Sequence, residues 1–194
     1  MRRASRCGLW FAAGILLLSL VGQNVWAQPA QIILLRHAEK PDEKENSHLS
    51  LQGRERAMAL APFLAGTPEL TKSGPPNALF AAKPTARDHS RRAFETLTPA
   101  SEQWKITLQT PFGAQDYEAL AKLLLQDAEL RGKNVVVCWP HEFLANIAAA
   151  LGVKPRPSDW KGSVYDRVWL ISFPHGKATL TDLPQRLLFG DSKR

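Results

Sequence analysis

The stretch QIILLRHAEKP, residues 31–41, opens on a run of apolar residues and then becomes charged at Arg36 and His37. A short continuous apolar run is typical of a parallel strand that is covered on both faces of a sheet. Such a strand would deliver the two basic side chains to the carboxyl edge of its sheet, where ligands collect in open α/β folds. The stretch therefore predicts a buried strand with a binding site at its end.

Strands and helices alternate along the rest of the chain. Apolar or alternating segments predict further strands at 77–82, 104–109, 134–139, 166–173 and 177–183. Apolar residues at three- to four-residue spacing predict helices at 51–66, 90–100, 117–130 and 142–152. Ser90 is expected to start the second helix, and Asp116 is expected to cap the third. This alternation predicts one three-layer α/β/α sandwich around a mostly parallel central sheet.

The N-terminal segment, 1–27, has a composition of its own. Three arginines precede the apolar run LWFAAGILLLSLV at 9–21, and small residues lead up to Ala27. This order is that of a secretory signal peptide, with cleavage expected after Ala27. The apolar run is shorter than the ~20 residues of a membrane span, so an uncleaved anchor is the less favoured alternative. We expect a single domain over residues 28–194, located in the periplasm or outside the cell.

Loss of the signal peptide changes the charge balance. The segment holds three arginines and no acidic residue, so its removal lowers the formal net charge from +7 to +4. A nucleic-acid partner and stable membrane insertion are then not expected, whereas a small acidic substrate suits the remaining charge. Cys138 becomes the only cysteine and lies in an apolar strand, so we interpret it as a core residue without a disulfide.

Basic side chains follow two other predicted strands. The strand at 134–139 ends in Pro140, His141 and Glu142, and the strand at 77–82 leads to a helix that carries Arg91 and Arg92. Arginine donors match phosphate oxygens, and a neutral histidine nitrogen can attack phosphorus and form a covalent intermediate. An acid would protonate the leaving alcohol. These residue types predict phosphoryl transfer through a phosphohistidine, with no metal and no cofactor.

Several segments carry a family resemblance. LLRHAEKP (34–41) resembles the Arg-His motif of the histidine phosphatase superfamily, whose fold is that of cofactor-dependent phosphoglycerate mutase. SRRAFETL (90–97) and VVVCWPHEFLANIAAALG (135–152) resemble its two later motifs, and HLSLQGRERAMALAPFL (48–64) is similar to the helix after the first motif. The match runs from about residue 31 to residue 173. Three motifs in the family's order make the resemblance specific.

The resemblance implies roles for individual residues. His37 would accept the phosphoryl group, and Arg36 would bind that group beside it. Arg92 matches the second arginine of the family because it precedes Thr96 by four residues, which leaves Arg91 as a surface residue. His141 would be the second histidine, hydrogen-bonding the transferred group.

The general acid is left open by the sequence. Family members that place a carboxylate directly after the second histidine would use Glu142, the first choice here. Members with a carboxylate between the second and third motifs would point to Asp116 or Glu118, and some small members have no dedicated acid. A carboxylate in the first turn of a helix also stabilises the helix dipole without any catalytic role.

Other polar residues near the motifs have less definite roles. Glu39 either orients Arg36 or is solvated. Trp139 is either a core residue or a wall of the pocket. Three histidines in polar loops are expected at the surface, namely His48, His89 and His175.

The predicted activity is the hydrolysis of phosphate monoesters. A zinc enzyme is not favoured, because HEFLA lacks the second histidine of a zinc-protease helix. The alternatives are a phosphomutase, for which the short domain at 28–194 leaves little room for the insertions that close such a site, and a weakly active protein that binds a phosphorylated ligand. The sequence does not choose among sugar phosphates, nucleotides and envelope glycolipid phosphates as substrates, and it does not predict an oligomeric state.

Overall fold

The computed structural model describes residues 28–43 and 46–192. In this part of the chain, six strands form a single sheet in the order β3-β2-β4-β1-β5-β6. The strands are β1 (Gln31–Arg36), β2 (Ala78–Ala81), β3 (Leu108–Gln109), β4 (Asn134–Trp139), β5 (Arg167–Ser172) and β6 (Thr179–Pro184). The helices are α1 (Leu51–Gly66), α2 (Arg92–Trp104), α3 (Tyr117–Gln126) and α4 (His141–Ala150).

The sheet is mostly parallel, as the sequence predicts. β1 pairs with β4, β4 with β2, and β2 with β3, all in parallel. The hairpin of β5 and β6 adds two antiparallel pairs at the β1 side. Every residue of β1 and β4 is buried, which explains why these strands are continuous apolar runs rather than alternating ones.

The helices form two layers. α1 packs against α2, and α3 packs against α4. The chain crosses the sheet in one direction from β1 to β3 and in the other direction from β3 through β4 to β5. Because crossovers between parallel strands are right-handed, this reversal places α1 and α2 on one face of the sheet and α3 on the other. α4 lies with α3, against which it packs. The fold is therefore the predicted three-layer α/β/α sandwich.

The boundaries of α2 differ from those of the predicted helix at 90–100 because of contacts with other parts of the chain. The helix begins at Arg92 rather than at Ser90, because the N–H of Arg91 donates to the Ser47 carbonyl and holds this segment against a loop. The helix continues to Trp104, where Lys105 adopts a left-handed φ of 56°. The predicted strand at 104–109 is consequently reduced to Leu108–Gln109.

The predicted helix at 117–130 also differs from the structure. It ends at Gln126, and the Asp127 side chain accepts from the Glu129 N–H to start a short 3₁₀ turn. Asp116 precedes α3 but does not cap it with its side chain, because the carboxylate accepts from the N–H of Gly113 at 3.0 Å. The prediction that Asp116 caps this helix is therefore wrong.

The expected signal peptide, at 1–27, lies outside the described residues. Within the described ranges, no helix combines the length and the apolar character needed to cross a membrane. Cys138 is fully buried with a free thiol, and burial strongly raises its pKa, as suits a core residue.

Candidate active site

The candidate site lies where the chain reverses its direction across the sheet. β1 and β4 are neighbours, and Arg36 at the end of β1 lies opposite Trp139 at the end of β4. The connection after β1 crosses toward β2, whereas the connection after β4 crosses toward β5. The carboxyl ends of such a strand pair leave a crevice that binds ligands in doubly wound folds. His37 and His141 both lie at this crevice.

His37 is 5% exposed and is held in one tautomer. Its Nδ1 lies 2.7 Å from the carbonyl oxygen of Ala38, and since a carbonyl only accepts, Nδ1 must carry the proton. Burial lowers the pKa of His37 to about 3, and the charges of Arg36, Arg92 and His141 act in the same direction. At neutral pH the ring is therefore uncharged, with a lone pair on Nε2. This is the form in which histidine is a nucleophile.

Thr96 connects the segment after His37 to α2. Its Oγ1 accepts from the Ala38 N–H at 2.9 Å and donates to the Arg92 carbonyl at 2.7 Å. Thr96 is fully buried, so this link is protected from water. The sequence singles out Thr96 only through its spacing from Arg92. The structure shows that Thr96 links Arg92 to Ala38, the residue that follows His37.

Arg36 is buried and fixed along one side of its guanidinium. Nη1 donates to the carbonyls of Gly162 and, at 3.2 Å, of Val164, and the guanidinium lies 3.8 Å from the centre of the Tyr165 ring. In the described structure the buried Nε has no hydrogen-bond partner. A buried donor is rarely left unpaired, so this Nε is suited to bind an anion. The sequence contains no signal for this contribution of residues 162–165.

Arg92 is held by the loop before α1. Its Nε donates to the carbonyl of His48 at 3.3 Å, and its Nη2 donates to the carbonyl of Asn46. Its positive charge lowers the pKa of both His37 and Arg36. Arg91 is exposed and lies 3.8 Å from Glu95, in agreement with the expected surface position.

His141 and Glu142 open α4 at the same crevice. Gly162 packs directly on the His141 ring, because a Cβ at position 162 would lie 2.9 Å from Nε2. Nδ1 of His141 lies 3.1 Å from Glu142 Oε2, and the Glu142 side chain is 58% exposed. Burial and the Arg36 charge lower the pKa of His141, and the Glu142 carboxylate opposes them. Glu142 is thus the carboxylate adjacent to His141, and its charge also opposes the lowering of the Arg36 pKa by burial.

The other two candidate acids are placed differently. The Asp116 carboxylate is engaged by the Gly113 N–H, and Glu118 is exposed beside the hydroxyl of Tyr117 at 3.5 Å. Neither carboxylate contacts His37 or His141 in the described structure.

Glu39 does not orient Arg36 directly, and it is not solvated. Its carboxylate accepts from Nε and Nη2 of Arg56 on α1, at 2.7 to 3.0 Å. Both interpretations offered by the sequence are therefore wrong, because a partner on the following helix occupies the side chain.

Trp139 and the three loop histidines lie in the core and at the surface, respectively. Trp139 is fully buried, and its Nε1 donates to the Ala114 carbonyl at 2.9 Å, so it is a core residue. The three loop histidines are exposed: His48, His89 and His175. Over residues 28–43 and 46–192, no three histidine, cysteine or acidic side chains lie close enough together to hold a metal ion.

No protein-family model and no curated protein matches this sequence. Solved structures do match it. The mycobacterial glucosyl-3-phosphoglycerate phosphatase in complex with inorganic phosphate has 16% identity and a TM-score of 0.52, over 78% of this chain and 95% of that one. The protein histidine phosphatase SixA, complexed with tungstate, has 14% identity and a TM-score of 0.53, over 80% and 97%.

A third similar structure is the phosphoserine phosphatase of Entamoeba histolytica in complex with 3-phosphoglyceric acid. It has 15% identity and a TM-score of 0.56, over 81% of this chain and 99% of that one. At such low identities the likenesses establish the fold alone. That fold is the one of the histidine phosphatase superfamily, as the sequence motifs predict.

Proposed function

From this fold and its crevice, we propose that the protein is a phosphatase that hydrolyses phosphate monoesters through a covalent phosphohistidine on His37. The observation that carries the proposal is the hydrogen bond from His37 Nδ1 to the Ala38 carbonyl, which leaves Nε2 unprotonated, while the buried Nε of the preceding residue, Arg36, has no partner in the described structure. A nucleophile and an oxyanion donor are the two requirements of phosphoryl transfer.

In the first step, Nε2 of His37 attacks phosphorus and the bond from phosphorus to the alcohol oxygen breaks. Arg36 and Arg92 bind the phosphoryl oxygens, and His141 donates a hydrogen bond to them. Glu142, in its protonated form, gives its proton to the leaving oxygen. The products are the free alcohol and phosphohistidine.

In the second step, a water molecule attacks the phosphohistidine and gives its proton to the Glu142 carboxylate. The bond between phosphorus and Nε2 breaks, inorganic phosphate leaves, and His37 returns to its neutral form. Every group used is a side chain of this protein, so the cycle requires neither a metal ion nor a cofactor. We further propose that hydrolysis takes place in the periplasm or outside the cell, because the segment 1–27 has the pattern of a signal peptide.

The direct test is a phosphate-release assay with the purified protein. We expect release from p-nitrophenyl phosphate and from at least one class among sugar phosphates, nucleotides and glycolipid phosphates, equally fast with and without EDTA. Loss of activity in EDTA would contradict the metal-free mechanism. Binding without release would favour the ligand-binding alternative, and transfer to a second alcohol instead of water would favour the phosphomutase.

The acid can be tested separately through the leaving group. General acids contribute roughly 10²- to 10⁴-fold, so Glu142→Gln should slow hydrolysis of an alkyl phosphate by about 100-fold or more. The first-turnover release of p-nitrophenolate from p-nitrophenyl phosphate should keep its rate, because p-nitrophenolate leaves without being protonated. Hydrolysis of the phosphohistidine, in which Glu142 accepts the proton of water, should slow for both substrates. Single-turnover rates of alcohol release therefore make the comparison, and Glu102→Gln, an exposed carboxylate near the end of α2, is the matched control. Equal losses of alcohol release on both substrates would argue against Glu142 as the acid.

A further inference from the structure

A buried ion cluster lies two residues beyond His37. Arg56 on α1 donates from Nε and Nη2 to Glu39, from Nη1 and Nη2 to Asp191, and from Nη1 to Gln185 Oε1, all between 2.7 and 3.0 Å. The Arg56 side chain is 3% exposed, that of Glu39 is 11% and that of Asp191 is 7%. We call these four residues the Arg56 cluster. It uses the whole donor set of one guanidinium in a site protected from water.

The cluster joins three distant parts of the chain. Glu39 belongs to the loop after β1, Arg56 to α1, and Asp191 to the segment that follows β6. Asp191 Oδ2 also accepts from the N–H groups of Leu187 and Leu188, at 2.8 and 3.0 Å, so it folds this last segment around itself. The end of the described chain is thereby fastened to the loop that carries the nucleophile.

The first turn of α1 holds the backbone of Glu39 as well. The Ser50 N–H donates to the Glu39 carbonyl at 3.0 Å. Gly53 packs so closely that a Cβ there would lie 2.3 Å from the same oxygen. The side chain and the main chain of Glu39 are therefore both fixed, and this restrains rotation of the Ala38–Glu39 peptide.

That peptide unit is the one that sets the state of His37. The carbonyl that accepts from His37 Nδ1 belongs to Ala38, and it shares a planar peptide with the nitrogen of Glu39. Thr96 holds the other side of Ala38 through its N–H. A rotation of the Ala38–Glu39 peptide would remove the acceptor from Nδ1 and allow the proton to move to Nε2.

We infer that Arg56 and Asp191 are positioning residues for the nucleophile: by holding Glu39, they orient the Ala38 carbonyl that keeps His37 Nε2 unprotonated and directed at phosphorus. This inference rests on the proposed function of His37. A buried ion cluster is a poor means of stabilisation alone, because well-packed apolar residues often stabilise a fold as well or better. The role that we assign to the Arg56 cluster is therefore the geometry that it imposes near the nucleophile.

The test is Asp191→Asn, which preserves the shape of the side chain and removes its charge. Because misplacement of a reacting group by about 1 Å can cost roughly 100-fold, we expect kcat on p-nitrophenyl phosphate to fall about 10-fold or more with KM nearly unchanged. Arg56→Lys, which lacks the planar fork, should lower kcat in the same way, and Asp191→Glu should recover part of it. Asp182→Asn is the control, since it removes the half-exposed partner of Arg167 outside the cluster and should leave kcat unchanged.

A readout that does not need turnover separates this inference from the proposed function. The ¹⁵N chemical shifts of the His37 ring report its tautomer, and we expect the Nδ1–H form in the natural protein and a mixture with Nε2–H in Asp191→Asn. If the natural protein were inactive, the proposed function would fail, while a shifted tautomer would still support the positioning role. If Asp191→Asn had an unchanged tautomer and an unchanged kcat, together with a lower free energy of unfolding, the positioning role would be overturned. The Arg56 cluster would then be a purely structural feature.

Discussion

Replacement of His37 by asparagine should reduce turnover of p-nitrophenyl phosphate by at least about 10⁴-fold, the scale on which loss of a nucleophile acts in covalent catalysis. An asparagine amide can still donate to the Ala38 carbonyl, which His37 Nδ1 contacts at 2.7 Å, so the loop should keep its conformation. The nucleophilic Nε2 has no counterpart in the variant. The loss should therefore be chemical rather than structural.

The measurement combines steady-state rates with trapping of the intermediate. Phosphate labelled with ³²P should be found on the natural protein after quenching in alkali, in which a phosphohistidine survives, and should be absent from His37→Asn. His89→Asn is the control, because His89 is an exposed loop histidine. Turnover within about 10-fold of the natural protein, or label on the variant, would show that another group is the nucleophile.

Replacement of Arg36 by lysine should lower kcat/KM by roughly 10²- to 10³-fold, the usual cost of removing one preorganised oxyanion donor. Lysine keeps the charge but has no Nε to offer the phosphoryl group beside the ring of His37. It also cannot reproduce the planar contact with Tyr165 or the paired bonds to the carbonyls of Gly162 and Val164.

Inhibition by inorganic phosphate gives a second measure of the same effect. The inhibition constant should rise in Arg36→Lys in step with the loss of kcat/KM, because the phosphate ion and the transition state share the same donor. Arg91→Lys is the matched control, since Arg91 is exposed and its nearest carboxylate is Glu95 at 3.8 Å. A variant at position 36 that keeps its rate within about 3-fold would mean that Arg92 binds the phosphoryl group without Arg36.

Much of the fold follows from local pattern. The continuous apolar runs at 31–35 and 134–139 are buried central strands, and helix 51–66 has the predicted bounds. These predictions succeed because strand burial and helix periodicity are properties of neighbouring residues. The start of α2 departs from prediction because the Arg91 N–H donates to the Ser47 carbonyl in the loop before α1. β3 is shorter than predicted because α2 extends into the segment expected to form a strand.

The residue types of the candidate site are also visible in the sequence. The pair at 36 and 37, the arginine at 92 and the pair at 141 and 142 follow predicted strands or begin predicted helices, and the parallel sheet brings them to one edge. Their order along the chain is enough to predict phosphoryl transfer. The state in which each side chain is held is not predicted.

By itself, then, the sequence determined the alternation of elements, the edge of the sheet at which basic residues meet and the chemistry those residues suit. Only the tertiary structure decided that His37 is fixed by the Ala38 carbonyl, that Arg36 binds carbonyls in the distant segment before β5, and that Glu39 pairs with Arg56. The physical reason is that a buried polar group must find a partner wherever the folded chain supplies one. Such partners are set by the path of the whole chain, and no local spacing encodes them.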